Sequence, residues 1–147
     1  MNIKKNILIL SAHLHCERIY RKTYDYLQPM IGLHIASQID QHKYDITIYN
    51  ELSAGSFDVS TKKHYDIVFL SGLQKDFDRM RQLSYFFRKK GSKVIAGGSI
   101  CTLYPEFAIN FFDVVCSGGV ESVSQIMSDY KKGKLKKHYH SPQHEIN

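Results

Sequence analysis

The sequence predicts an α/β domain built on a five-stranded parallel sheet. Three observations point there. Five short apolar runs recur along 147 residues. Segments with helical spacing separate most of them, and strand-helix alternation of this length builds a parallel sheet through right-handed crossovers. The first, third and fourth runs lack polar alternation, as strands covered on both faces do.

The elements follow in order. "NILIL" (Asn6 to Leu10) is the first strand, "DITIY" (Asp45 to Tyr49) the second and "DIVFL" (Asp66 to Leu70) the third. "KVIA" (Lys93 to Ala96) and "DVVC" (Asp113 to Cys116) are the fourth and fifth. Pro29 opens a helix whose stripe is Ile31, Leu33, Ile35, Ala36 and Ile39, because proline is tolerated in the first turn. Phe77, Met80, Leu83, Phe86 and Phe87 form a second stripe, stopped at Gly91 after Lys89 and Lys90. A short helix is expected from Phe107 to Phe112, and a last one from Glu121 to Lys132, stopped by Gly133. Five strands in this pattern imply a flavodoxin-like (Rossmann-like) three-layer sandwich with strand order 2-1-3-4-5. Ligands of such sheets lie at the carboxyl ends of the strands.

Composition bounds the function. Hydrophobic residues are 43% and charged residues 23%, an ordinary globular balance. No apolar run reaches the length of a membrane span, and the short run at Ile7 to Leu10 reads as a strand of a cytoplasmic protein, without a signal-peptide cleavage site. The net charge is +6, but Lys131, Lys132, Lys134, Lys136 and Lys137 crowd into "KKGKLKKHYH". The basicity therefore belongs to a tail, and nucleic acid is an unlikely partner. Residues 1–133 are expected to form the domain and 134–147 a basic tail or linker. Cys16, Cys101 and Cys116 are widely spaced and suggest neither a zinc site nor a disulfide framework. Cys116 is expected in the core.

The usual ligands of the architecture fail one by one. The loop after the first strand, "SAHLHCERIYRKTYDYLQP", holds no glycine, which excludes a dinucleotide fingerprint or a P-loop. It lacks the closely spaced hydroxyls of a flavin phosphate loop. The strand ends carry no acidic pocket for a phosphoreceiver, and there is no G-x-S-x-G for acyl transfer. What remains is a floor of small residues at three adjacent strand ends: Ser71-Gly72-Leu73, Gly97-Gly98-Ser99 and Ser117-Gly118-Gly119. One such turn only makes a bend. Three on one edge point to a bulky, partly phosphorylated ligand held by backbone contacts.

Three motifs carry a family resemblance. "QPMIGLHIASQI" (Gln28 to Ile39) is similar to a Pro-Pro-x-Gly-Leu-x-x-Leu-Ala helix opening. "DIVFLSGLQKDFDRMRQLSYFFRKKGSKVIAGGSICTLYPE" resembles a strand ending in Ser-x-Leu, a helix and a Gly-Gly-x-x-x-Thr-x-x-Pro-Glu run. "FDVVCSGGVESV" resembles Asp-Val-Val-x-x-Gly-x-Gly-Glu, altered in that Val120 separates Gly119 from Glu121. Over Pro29 to Lys137 the chain resembles the cobalamin-binding domain that precedes the radical SAM domain in B12-dependent radical SAM proteins.

The resemblance implies a cobalamin cofactor whose nucleotide tail enters the sheet edge beside strands 3 and 4. Ser71, Gly72 and Leu73 would border it, Gly97, Gly98 and Ser99 would let it pass, and Thr102 and Pro105 would shape the next loop. Ser117, Gly118 and Gly119 would flank the corrin or the tail. The Asp-x-His-x-x-Gly motif of the wider cobalamin module is absent, which leaves His13 and His15 as possible axial ligands of cobalt. The Cys-x-x-x-Cys-x-x-Cys motif of a radical SAM centre is also absent, so no iron-sulfur cluster is expected in this chain. The chain is then a binding module partnered by a radical SAM domain or chain, as in a methyltransferase. The alternative is a degenerate domain used for protein interaction or regulation. A small enzyme acting through His13, His15 and Glu17 ranks lowest.

Overall fold

The computed structural model of the chain describes residues 3–14 and 30–141. Its centre is a parallel sheet of six strands in the order β2-β1-β3-β4-β5-β6. These are β1 (Lys5–Ser11), β2 (Tyr44–Asn50), β3 (Ile67–Ser71), β4 (Lys93–Ala96), β5 (Val114–Gly118) and β6 (His138–Ser141). The expected order 2-1-3-4-5 is present, and the five-stranded count is corrected to six. The added strand comes from the stretch expected to be a basic tail or linker. Residues 138–141 pair with β5, with Ser117 opposite His140 and Gly118 opposite Ser141.

The apolar runs are continuous because both faces of the sheet are covered. Leu8, Leu10, Val68, Leu70, Val94, Ala96 and Val115 point to one face. There they meet Phe77, Met80, Leu83 and Phe87 of α3 (Phe77–Lys89), and residues from α4 (Ser99–Leu103) and α5 (Pro105–Ala108). Ile7, Ile9, Ile67, Phe69, Ile95 and Val114 point the other way, onto α1 (Met30–Ser37) and α6 (Val123–Lys131). A four-residue helix, α2 (Glu51–Ala54), follows β2. The layers are therefore helix, sheet, helix, and each strand divides its side chains between two cores by the two-residue period.

Aspartates before the central strands set the register. The Asp66 carboxylate accepts from the Asn6 amide at 2.8 Å, and that of Asp113 accepts from the Val94 amide at 2.8 Å. Each aspartate satisfies a backbone donor on the strand beside its own. Regular pairing therefore begins one residue later than the apolar pattern suggests, at Ile67 and Val114.

Several helices differ from expectation: α2 was not expected, and α6 begins at Val123 rather than Glu121. A helix over Ser99–Leu103 was not anticipated, and the next begins at Pro105 rather than Phe107, because proline with its fixed φ opens the first turn. Leu33 and Phe86 are exposed rather than buried. Each lies about a sixth of a turn beyond the edge of its buried arc, Leu33 past Ala36 in α1 and Phe86 past Leu83 in α3. Gly32 lets α1 lie close to the sheet: a β-carbon there would sit 3.1 Å from Ile48. Among the described residues, no helix is long and apolar enough to cross a membrane.

Besides its pairing with β5, the sixth strand is anchored in the core by Tyr139. Tyr139 packs in the α1/α6 core, and its hydroxyl donates to Asp129 of α6 at 2.6 Å. The same hydroxyl accepts from the Lys136 amide at 3.0 Å. Gln125 donates to the other Asp129 oxygen at 2.8 Å. The Tyr139 hydrogen bond, then that of Gln125, holds the Asp129 carboxyl below its ordinary pKa of 3.8. Burial, then the Asp129 bond, raises the pKa of Tyr139.

A carboxyl depressed in the folded state stabilises above its unfolded pKa, and that contribution disappears as pH falls through the folded value. Denaturant unfolding at a series of pH values is therefore expected to show wild-type stability falling below about pH 3.8, with a shallower acid limb in Tyr139→Phe. Superimposable acid limbs would exclude this role for Asp129.

Candidate functional site

At the carboxyl end of the sheet lies a cavity of about 380 Å³. Phe69, Ile95 and Cys116 of the sheet, Ile31 and Ile35 of α1, and Val123 of α6 form its apolar wall. Its other wall is the set of turns after β3, β4 and β5, where Ser71, Gly97, Gly98, Ser99, Thr102, Gly118 and Gly119 line it. Leu103, Val120 and Ser122 complete the rim. The volume lies within the range of small-molecule sites, which are also mostly apolar with a few polar groups.

The turns are pinned to one another by backbone and hydroxyl hydrogen bonds. The Gly97 amide donates to the Leu70 carbonyl at 2.9 Å, carrying the β3–β4 pairing one residue past β4. The Thr102 hydroxyl accepts from the Gly118 amide at 3.1 Å, tying α4 to the end of β5. Ser122 and Ser141 share a hydroxyl contact of 2.6 Å that fixes the approach to α6 against β6.

The glycines of these turns are not equivalent. Gly98 has φ +116° and ψ −168°, a region that side-chain-bearing residues avoid, and a β-carbon there would collide with the Gly72 carbonyl oxygen. Gly118 has φ +86°, and a β-carbon would collide with the Ser141 carbonyl. Gly72 is crowded by Met80 and Asp76, at 3.0 and 3.3 Å from its would-be β-carbon. The backbone itself therefore requires Gly98 and Gly118, while a side chain at position 72 would have to displace Met80. Gly97 differs: its backbone is not left-handed, and a β-carbon would find nothing closer than Cys116 at 3.9 Å. Ala96 belongs to the opposite core, so alternation turns position 97 toward the cavity.

Four expected site residues lie elsewhere. Gly72 packs under α3, Leu73 is exposed, and Pro105 opens α5. Ser117 faces the other side of the sheet, where its hydroxyl meets His138 and His140. Cys116, expected in the core, is partly exposed and lines the cavity. Burial pushes the thiols of Cys101 and Cys116 up to about 12, so both are protonated at neutral pH. The apolar lining from α1, α6, Phe69 and Ile95 was not foreseen, because only the topology brings those residues together.

His13 does not line the cavity. It sits after β1, buried with Asp76 beneath the exposed Lys75. Its Nδ1 lies 3.2 Å from the Lys75 ammonium and 3.5 Å from Asp76, which also accepts from the Leu14 amide at 2.9 Å. Beside it, Glu51 is fully buried and accepts from Arg79 through Nε and Nη2, from the His13 amide and from the Phe57 amide. A carboxylate buried this deeply requires such pairing. The cluster fixes the start of the loop after β1. His15 and Glu17 lie outside the described residues.

No protein-family model matches the chain, and no curated protein matches it either. Among solved structures it is similar to the N-terminal domain of a hypothetical protein from Thermotoga maritima. The TM-score is 0.53 and the identity 22%, covering 86% of this chain and 100% of that one. At this identity the likeness is one of fold.

The two central glycines have separable roles, which substitution resolves. Gly98→Ala is expected to destabilise the fold by at least about 1–3 kcal/mol, the backbone strain alone. Gly97→Ala is expected to stay within about 1 kcal/mol of wild type, since its backbone admits a side chain. Equal losses in chemical denaturation would mean that Gly97 is also required by the chain.

Proposed function

We propose that this chain is a cobalamin-binding module, related to the domain that precedes the catalytic barrel in B12-dependent radical SAM proteins. The observation that carries the reading is Gly97, a glycine that the protein's own packing does not require, set in the floor of an open cavity between β3, β4 and β5. The three-layer architecture, the adjacency of β3 and β4, and the motifs around Ser71, Gly97 and Thr102 support it.

The residues present suit the group chemically. Phe69, Ile95, Ile31 and Ile35 offer an apolar wall for an aromatic base. Ser71, Thr102 and the backbone of Gly97 and Gly98 offer hydrogen-bonding groups to a ribose phosphate. Bound cobalamin supplies a cobalt centre able to carry a methyl group, and that reactivity is the cofactor's own. The role of this chain is to hold and orient it for a radical SAM domain or partner chain. The tail slot carries the proposal rather than a histidine ligand, since His13 is fixed against Asp76 and Lys75 outside the cavity lining.

One observation favours the second reading, a B12-binding-like domain now serving protein interaction or regulation. Leu73, Leu103, Tyr104 and Phe107 are large apolar residues exposed on the turns and short helices of the same edge, more than scattered surface positions need.

The two readings separate on one experiment. Purified protein is mixed with hydroxocobalamin and desalted, and corrin absorbance is followed with the protein peak. Wild type is expected to retain near-stoichiometric corrin, and Gly97→Leu, folded by circular dichroism, to retain at least about tenfold less, a loss of about 1.4 kcal/mol. Colourless wild-type protein overturns the cobalamin reading in favour of the second.

A further inference from the structure

A second cluster lies on the opposite side of the sheet from the cavity and rests on none of the reading above. β6 is an edge strand, and His138 and His140, two residues apart, project from the same face of it. Both are exposed, whereas Tyr139 and Ser141 between and after them are buried. Ser117 of β5 lies directly opposite His140 in the register and is 4% exposed. Its hydroxyl oxygen is 2.8 Å from His138 Nε2 and 3.0 Å from His140 Nδ1.

We propose that His138 and His140, converging over Ser117, form a binding site for a divalent transition-metal ion of the zinc or copper type. Two imidazole nitrogens that meet at one oxygen are spaced for a bidentate half-site. Modest rotation of the exposed rings brings both to about 2.0–2.1 Å from a single ion. A serine hydroxyl has one proton, so it donates to one ring and must accept from the other. In the metal-bound state each neutral ring carries its proton on the remote nitrogen, His138 Nδ1 and His140 Nε2. Both facing lone pairs then point at the ion, and Ser117 is left to bond a metal-bound water.

Imidazole donors select zinc, copper and nickel over magnesium and calcium. Among the described residues, no group of three or more His, Cys, Asp and Glu side chains is placed to hold a metal. Water therefore completes the coordination shell, and the site is open and exchangeable rather than a closed structural centre. The Ser117 hydroxyl can bond both rings at once, one as donor and one as acceptor; what suits the pair to a metal is that two exposed rings on one face of β6 converge on a single point.

The test uses the full, untagged chain, stripped with chelator and titrated with Cu(II). Binding is followed by calorimetry, and nitrogen coordination by electron paramagnetic resonance. His138→Gln and His140→Gln retain an amide able to bond Ser117 but lose the imidazole. Both positions are exposed, so the fold is expected to survive. Wild type is expected to bind one equivalent with nitrogen hyperfine coupling, and the double variant to bind at least about tenfold more weakly, while His64→Gln behaves as wild type. Absence of binding to wild type, or unchanged affinity in the double variant, overturns the site.

Discussion

The carboxyl edge of this sheet depends on backbone meeting backbone. Gly98 adopts a conformation open only to glycine and lies against the Gly72 carbonyl; Gly118 lies in the same way against that of Ser141. The first approach brings together the turns after β3 and β4, and the second brings the end of β5 against β6, in each case with no side chain between the two backbones. Hydrogen bonds from the Gly97 amide to Leu70 and from the Gly118 amide to Thr102 then lock the arrangement. Side-chain packing governs the rest of the molecule, but here its absence is the structural device.

The cavity follows from that device. Crowded turns fix where the floor lies, and Gly97, which nothing crowds, keeps the floor low. The apolar side is fixed independently, by the alternation that turns Phe69, Ile95 and Cys116 toward α1 and α6. The edge is thus divided. Over β3 to β5 it is apolar and open. Beyond β1 it is charged and closed, with Glu51 and Arg79 paired and Asp76 holding the Leu14 amide. A ligand with one aromatic and one polar end suits the first part, while the second serves to order the chain.

Much of this was legible in the sequence, for reasons that differ by element. β1, β3 and β4 are continuous apolar runs because both faces are covered, so the run itself reveals the strand. β6 carries the weaker signal of an edge strand: in "HYHS" only Tyr139 and Ser141 point inward, and the preceding lysines disguise it as a tail. The small residues of the floor stood out by type, and six of them, Ser71, Gly97, Gly98, Ser99, Gly118 and Gly119, do line the cavity, joined by Thr102, which only the family resemblance had implied. Their reasons were not readable. Gly97 and Gly98 are the same letter twice, and only three-dimensional proximity to Gly72 and Cys116 separates the glycine that the backbone requires from the one that leaves room. Ser117 was misplaced because one residue of strand alternation turns it to the far face, where its partners come from a strand the pattern had hidden.

The central claim, that Gly97 marks a slot for an elongated cofactor tail, is tested most directly by amide chemical shifts. Isotope-labelled protein is titrated with diamagnetic hydroxocobalamin, and the Ser71, Gly97, Gly98, Thr102 and Gly118 signals are followed to saturation. The account predicts saturable shifts concentrated on these residues, with those of the β6 histidines unmoved. Unchanged signals around Gly97 at saturating cobalamin, or shifts confined to another surface, would contradict it.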